Sequence, residues 1–144
     1  MNDIRISAET EIKIRFSEVD SMAVVWHGHY VKFLEDGREA FGTMHGLTYL
    51  DAYRNGYMTP VVQLEIDYKN PVGYEDGIII RTHFVNTEAA KIIFEYEIIN
   101  KRTGQVSATA KSVQAFIDAD NRELVLYAPE YFLKWKKRVG LLRE

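Results

Sequence analysis

The sequence contains no cysteine, only three prolines and no long apolar run. Without cysteine the chain can form neither a disulfide nor a thiolate nucleophile, and it cannot bind zinc or an iron–sulfur cluster through sulfur. No stretch has the length and hydrophobicity of a signal peptide or a membrane span, so we expect a cytoplasmic protein. The formal net charge of −3 lacks the basic surplus of a general nucleic-acid binder. What remains is the composition of an ordinary soluble globular protein.

The chain has the length of one ordinary domain, because 144 residues can bury a substantial core without being divided. No low-complexity segment, internal repeat or linker interrupts it. We therefore predict a single domain over residues 1–144, with a core at about 10–120 and a C-terminal helix at about 128–139.

The hydrophobic pattern predicts a strand, a long helix and then four more strands. Residues 11–20 alternate with the period of two that is typical of a half-buried strand. From Tyr30 the apolar residues recur every three or four positions, as on one face of a helix, and Gly46 is a suitable end for it. A short helix is predicted at 48–56. The later strands are predicted within residues 60–71, 77–88, 91–100 and 105–120.

Short connections between the last four strands predict an antiparallel sheet, since parallel pairs need long crossovers. One long helix on one face of a curved antiparallel sheet is a simple two-layer α+β arrangement. Gly37 lies on the apolar stripe of the helix, where glycine costs about 1 kcal/mol relative to alanine. We expect its compensation to be a close approach of the helix to the sheet.

The stretch "EVDSMAVVWHGHY", residues 18–30, joins the first predicted strand to the long helix. A helix N-terminus presents backbone N–H groups without intrahelical partners, which can bind a developing oxyanion. Asp20 could then attack an acyl carbonyl as a nucleophile, or activate a water as a general base. Other interpretations remain open from the pattern alone. An Asp before a helix is commonly a cap or turn residue, and His27 with His29 has a spacing that can bind a metal.

The same stretch resembles the entry motif of hot-dog fold acyl-CoA thioesterases of the 4-hydroxybenzoyl-CoA thioesterase type. That motif combines an aromatic residue, two acidic residues, an apolar pair, an aromatic residue followed by His or Tyr, and a later Tyr. The early helix often continues with E-x-x-R. The matching residues are Phe16, Glu18, Asp20, Val24, Val25, Trp26, His27, Tyr30, Glu35 and Arg38. The segment "MTPVVQLEIDYKNPVGYEDGI" resembles the family's second strand and the loop after it, and the order of elements agrees over about residues 10–120.

The resemblance implies a hot-dog fold, in which a curved five-stranded antiparallel sheet wraps around one long helix. It also implies hydrolysis of an acyl-CoA thioester, with Asp20 as the catalytic carboxylate and the backbone N–H of His27 as the donor to the thioester carbonyl. The His27 imidazole would orient water or the acyl group. Residues expected to contact substrate are Trp26, Gly28, Tyr30, Thr59 and Lys91. Tyr30 is expected chiefly to pack under the helix.

Two residues depart from the family's pattern. Ala23 stands where the family usually has glycine, and Val19 replaces the usual Thr or Cys before the aspartate. Ala23 would be strained if its position requires a positive φ. On the helix, we expect Glu35 and Arg38 to form a local pair with a structural role.

The resemblance further implies a homodimer or homotetramer whose sheets join and whose acyl pockets lie at the interface. CoA would then lie largely at the surface, with its phosphates near Lys91 or the lysines of the C-terminal "KWKKR". No cofactor, metal, nucleic acid or membrane is expected as a partner. Two alternatives remain: hydrolysis of acyl carrier protein thioesters, and a non-catalytic module that binds acyl-CoA.

Overall fold

The computed structural model describes residues 6–142, so residues 1–5 and 143–144 of the predicted domain lie outside the described part. The secondary structure runs β1 (Ile6–Ile12), a 3-10 turn (Phe16–Glu18), α1 (His29–His45), α2 (Tyr49–Arg54), β2 (Tyr57–Met58), β3 (Val61–Tyr68), β4 (Ile78–Val85), β5 (Lys91–Asn100), β6 (Val106–Ala115), β7 (Ile117–Asp118) and α3 (Glu130–Arg138). Five strands form one antiparallel sheet in the order β1-β4-β5-β6-β3, and β2 pairs with β7. The predicted α+β hot-dog arrangement is confirmed.

The long helix α1 packs on the inner face of the sheet, mainly against β1 and β4. A Cβ built at Gly37 would lie 2.6 Å from Thr82 Oγ1 and 3.0 Å from Ile80 Cγ2. The predicted close approach of helix and sheet is therefore confirmed, because any side chain at this position would force the two apart. α1 ends where expected, at Gly46, whose φ of 76° is left-handed and whose N–H donates to Gly42 O.

The first strand is wrong in its predicted bounds. β1 covers Ile6–Ile12 and pairs with β4, and the chain leaves the sheet before residues 13–20. Ile14 still reaches the core, but Phe16 is 77% exposed, so the alternation does not continue as a strand. A 3-10 turn replaces it, in which the Glu18 carboxylate accepts a hydrogen bond of 2.6 Å from the backbone N–H of Arg15. Asp20 is consequently carried by a loop.

The strand predicted at 105–120 divides into β6 and β7 around Phe116, whose side chain is fully buried. After this residue the chain leaves β3 and β5 and pairs with the short strand β2 instead. The period-two pattern continues through the break, which is why the sequence did not reveal it.

The C-terminal helix α3 closes one end of the core with Phe132 and Trp135, which stack on each other with ring centroids 5.9 Å apart. Lys136 of α3 does not face solvent, although it belongs to the lysine-rich "KWKKR" segment. That side chain is buried, its Nζ donates to Thr87 O over 2.6 Å, and it lies 4.9 Å from the centre of the Phe132 ring. Burial lowers the pKa of Lys136.

Candidate active site

A tight hairpin carries Asp20. The backbone N–H of Trp26 donates to Glu18 O over 3.0 Å, and that of Asp20 donates to Val24 O over 2.8 Å, with Val19 paired to Val25 between them. The two short arms of this hairpin, residues 18–26, therefore bring the chain back from the 3-10 turn to the start of α1.

Asp20 is a turn residue at the tip of the hairpin, which agrees with the interpretation of this aspartate as a cap or turn residue. Its Oδ1 accepts a hydrogen bond of 2.8 Å from the N–H of Met22, and its carbonyl accepts one of 3.0 Å from the N–H of Ala23. The side chain is half-buried. No further hydrogen bond of the carboxylate is found within residues 6–142, so the other oxygen is available to a substrate or a water. Its catalytic role stays a prediction.

Ala23 has a φ of 62°, which is the left-handed conformation that favours glycine. The family's glycine at this position is explained by the turn, which needs a positive φ immediately before the hairpin closes at Val24. The position of Ala23 therefore does require a positive φ, and the strain expected for a residue with a Cβ is present.

The hairpin docks on the loop of residues 71–77. The N–H of Val25 donates to Val72 O over 2.8 Å, and Val24 pairs with Gly73. The carboxylate of Asp76 organises this loop, because its Oδ2 accepts from Gly73 N at 2.7 Å and from Asn100 Nδ2 at 2.9 Å. The Asp76 Oδ1 accepts from Arg102 Nε at 2.5 Å. The Arg102 bond, with those from Gly73 and Asn100, holds the pKa of Asp76 below its usual range.

The helix α1 begins at His29, with Gly28 as its N-cap. The carbonyl of Trp26 accepts from His29 N at 3.0 Å, and the carbonyl of His27 accepts from Tyr30 N at 3.3 Å. In the part of the chain that the structure describes, neither His27 N–H nor Gly28 N–H donates to a protein acceptor. Two successive amides are therefore free at the positive end of the helix macrodipole, where they can bind an oxyanion.

Aromatic side chains surround these two amides. A Cβ at Gly28 would lie 2.2 Å from Trp26 Cζ3, so the indole covers this glycine, while half of the Trp26 surface stays exposed. The hydroxyl of Tyr68 donates to His27 O over 2.9 Å. Tyr30 is buried and packs edge-on against Tyr68, which confirms its packing role; its contact with substrate stays a prediction.

The predicted site residues fall into two groups. Asp20, Trp26, His27, Gly28 and Tyr30 share the hairpin and the first turn of α1. Among the described residues no hydrogen bond joins Asp20 to His27, so a substrate would connect the tip of the hairpin to the start of α1.

The second group, Thr59 and Lys91, lies outside the hairpin and α1. Thr59 is buried and lines a cavity of about 370 Å³ between α1, α2 and the inner face of the sheet. Its carbonyl accepts from Gln114 Nε2 at 2.8 Å. Lys91 is exposed at the start of β5, opposite Ala115, and its neighbour Ile92 lines the same cavity.

The predicted Glu35–Arg38 pair is wrong. Arg38 turns towards the sheet, where its Nη1 donates to Tyr96 Oη over 3.1 Å, and Tyr96 shares a bond of 2.5 Å with Ser112 Oγ. Desolvation opposes the charge of Arg38, yet its interactions with Tyr96 and Tyr49 leave its pKa raised. Burial raises the pKa of Tyr96, although the neighbouring Arg38 guanidinium opposes this rise. Glu35 and Arg38 both line the cavity but do not contact each other as an ion pair.

Sequence reasoning missed Tyr68 and Gln114. Tyr68 is the last apolar residue in the alternating pattern of β3. This position at the end of the strand is the only sequence signal that could have drawn attention to it. Gln114 lies in the strand predicted at 105–120 and is buried, and a buried polar side chain needs a partner. That requirement could have drawn attention to it, but the partner itself, a backbone carbonyl, has no sequence signal.

Within residues 6–142, no group of three or more His, Cys, Asp or Glu side chains could hold a metal ion. The His27 and His29 rings both pack against the Trp26 ring, with centroids 5.0 Å and 5.5 Å from its centre. No helix in the described part of the chain has the length and hydrophobicity to cross a membrane.

The fold and the hairpin together define the class of protein. A five-stranded antiparallel sheet on one long helix, entered through a loop with a carboxylate, is the architecture of hot-dog thioesterases. Residues 14–135 match the model of the thioesterase-like superfamily, and the chain belongs to this family of thioester hydrolases.

Individual relatives agree with this assignment. The chain is 31% identical over 114 residues to a Bacillus subtilis (strain 168) protein that carries the provisional name acyl-CoA thioesterase YneP. The aligned residues cover 79% of this chain and 82% of that protein. The structure of DHNA-CoA thioesterase from Staphylococcus aureus matches with a TM-score of 0.82 at 26% identity, over 93% of this chain and 89% of that one. A 1,4-dihydroxy-2-naphthoyl-CoA thioesterase from Synechocystis has a TM-score of 0.80, over 93% of this chain and 98% of that one; at 17% identity it shows the fold alone.

Proposed function

We propose that this protein hydrolyses a small or medium acyl-CoA thioester to the free carboxylic acid and CoA. The observation that carries the proposal is a half-buried carboxylate, Asp20, on the hairpin that leads directly into the free amides of His27 and Gly28 at the start of α1. A carboxylate and an oxyanion donor are a sufficient set of groups for acyl transfer, without a serine, a cysteine or a metal.

In the reaction, the thioester carbonyl oxygen accepts from the His27 N–H and becomes the oxyanion as a nucleophile adds to the acyl carbon. Either Asp20 adds, forming a mixed anhydride that water cleaves, or Asp20 removes a proton from a water that adds. In both routes water supplies the hydroxyl of the acid, the C–S bond breaks and the CoA sulfur leaves with a proton. The hydrogen bond from Met22 N to Asp20 Oδ1 fixes the carboxylate while its second oxygen reacts.

The cavity of about 370 Å³ is the proposed place for the acyl chain. Gly28 and Val31 continue along one helix face, at spacings of three and four, into Glu35, Glu39 and Thr43, which line the α1 side of the cavity. That face therefore leads from the free amides to the cavity. Lys91 is the proposed contact for a CoA phosphate. The names of the relatives support CoA thioesters as substrates.

We test the proposal by measuring free thiol released from a panel of acyl-CoAs of graded length. Asp20→Asn retains the oxygen that accepts from Met22 N but cannot act as a base or nucleophile, so kcat should fall by about 10²- to 10⁴-fold. Asp118→Asn is the matched control, because Asp118 Oδ1 caps a comparable turn by accepting from Asp120 N. Its kcat should be unchanged.

Equal turnover by wild type and Asp20→Asn would remove Asp20 from the mechanism. Saturable binding of acyl-CoA with no thiol release would favour the non-catalytic binding module instead. An acyl carrier protein thioester belongs in the same panel, since acyl-acyl carrier protein thioesterase ATL3 of Arabidopsis thaliana is 24% identical over 110 residues, although the chain spans only 58% of that protein. Faster cleavage of the carrier thioester would replace CoA as the proposed carrier.

A further inference from the structure

Tyr68 makes an unusual connection for an edge-strand residue. It is the last residue of β3, half of its surface is exposed, and its hydroxyl donates to the carbonyl oxygen of His27 over 2.9 Å. Its ring packs edge-on against His27 and Tyr30, with centroid distances of 6.1 Å and 5.0 Å. Burial raises the pKa of Tyr68, so the hydroxyl stays protonated and remains a donor throughout the neutral range.

The geometry of the peptide bond transmits this contact to Gly28. The His27–Gly28 peptide is trans, so its C=O and N–H point in opposite directions. The carbonyl also accepts from Tyr30 N, but at 3.3 Å this bond is long. The Tyr68 hydroxyl is the closer of the two donors and therefore the stronger restraint on the plane of the peptide.

We propose that Tyr68 is a positioning residue, which holds the His27 carbonyl so that the N–H of Gly28 points at the thioester oxygen beside the N–H of His27. Gly28 would then be a second oxyanion donor whose direction is set from the edge of the sheet. The inference rests on the proposed function, because it presumes that the thioester carbonyl lies at these two amides.

The expected effect is on the transition state rather than on substrate affinity. Loss of one preorganised oxyanion donor typically lowers kcat by about 10²- to 10³-fold. Tyr68→Phe should lower it less, by about 5- to 50-fold, because Tyr30 N still holds the carbonyl and Gly28 N–H is loosened rather than removed. KM should change by less than about twofold, as expected when an interaction is stronger in the transition state than in the ground state.

A vibrational measurement separates positioning from a purely structural role. In an Asp20→Asn background, which slows turnover, the carbonyl stretch of a bound acyl-CoA should shift to lower frequency than in free acyl-CoA, because the two amides polarise it. Adding Tyr68→Phe should reverse part of that shift. Tyr53→Phe is the matched control, since Tyr53 is an exposed tyrosine on α2, and it should leave both kcat and the carbonyl frequency unchanged.

The outcomes of the experiment distinguish the two proposals. No carbonyl shift in the Asp20→Asn protein, together with no thiol release by wild type, would contradict the proposed function. A carbonyl shift that is identical with and without Tyr68→Phe would overturn the positioning role while leaving the proposed function intact. A lower melting temperature for Tyr68→Phe with unchanged kcat and carbonyl frequency would likewise overturn it, since the hydroxyl would then only tie β3 to α1.

Discussion

Ala23 and Arg122 share a backbone feature, a positive φ in a residue other than glycine. Both precede the residue that closes a hairpin opened by an aspartate: Asp20 N donates to Val24 O, and Asp118 N donates to Glu123 O. The left-handed conformation costs roughly 1–2 kcal/mol for a residue with a Cβ. The chain therefore retains strain at the tip of its candidate catalytic hairpin, where strained residues often have a functional role.

Replacing Ala23 with glycine should raise the free energy of unfolding by about 0.5–1 kcal/mol. The steric cost of the positive φ disappears, while the greater freedom of glycine in the unfolded chain offsets part of the gain. Denaturant unfolding with a shared m-value measures the difference. The control is Ala40→Gly in α1, where glycine should instead cost about 1 kcal/mol. An unchanged or lower stability for Ala23→Gly would show that the turn bears no strain.

At the same scale, residue chemistry could be predicted further than residue geometry. The motif drew attention to Asp20, His27 and Ala23, because the residues that form a turn and the start of a helix are close together in the sequence. The partner of Arg38 could not be predicted in this way. Glu35 is its neighbour along the helix, but Tyr96 is its partner across the core, and only the packing of α1 on the sheet decides between them.

Among the structural elements, the hairpin of residues 18–26 depends on a second loop for its position. The loop of residues 71–77 pairs with Val24 and Val25, and Asp76 ties that loop to the β5–β6 connection through Asn100 and Arg102. The site is thus positioned from the end of the sheet where β4 begins and β5 ends. The sequence pattern revealed β3 and β4 on either side of this loop, but it carried no signal for the hydrogen bonds of Asp76, since these join residues that are distant in the chain.

Asp76→Asn should lower the free energy of unfolding at pH 7 by about 1–3 kcal/mol, the usual cost of losing charge-assisted hydrogen bonds. Because the folded-state pKa of Asp76 is lowered, the stability it contributes is present above its unfolded pKa of about 3.9 and is lost as the pH falls through the folded value. The difference between wild type and variant should therefore shrink when urea unfolding is repeated below about pH 3.

Glu75→Gln provides the control for Asp76, since it removes a neighbouring exposed carboxylate of the same loop. It should change the free energy of unfolding at pH 7 by no more than about 0.5 kcal/mol. A difference between wild type and Asp76→Asn that stays constant from pH 7 to below pH 3 would contradict the linkage. Thiol release by Asp76→Asn should also fall, because the hairpin would lose part of its support.

For the whole molecule, the edge strand β3 is the feature that the monomer leaves incomplete. Its inner-face residues Leu64 and Ile66 are only half-buried, and Val62 and Tyr68 are 60% and 49% exposed. α1 packs mainly on β1 and β4, at the other side of the sheet. An edge strand with an uncovered apolar face is a typical site of association. We therefore retain a homodimer or homotetramer as a prediction, with the candidate site beside the proposed interface.

Val62→Asp should weaken this association, because a carboxylate would replace an exposed apolar side chain of β3 in both copies of a symmetric pair. We expect the apparent dissociation constant, measured by analytical ultracentrifugation, to rise at least about 100-fold. Gln63→Asp is the matched control, since it adds the same charge one residue away, at an exposed position of β3 that is already polar. If the second copy completes the site, thiol release per chain should fall with the dimer fraction; full activity in a monomeric Val62→Asp protein would mean that one chain is sufficient for the reaction.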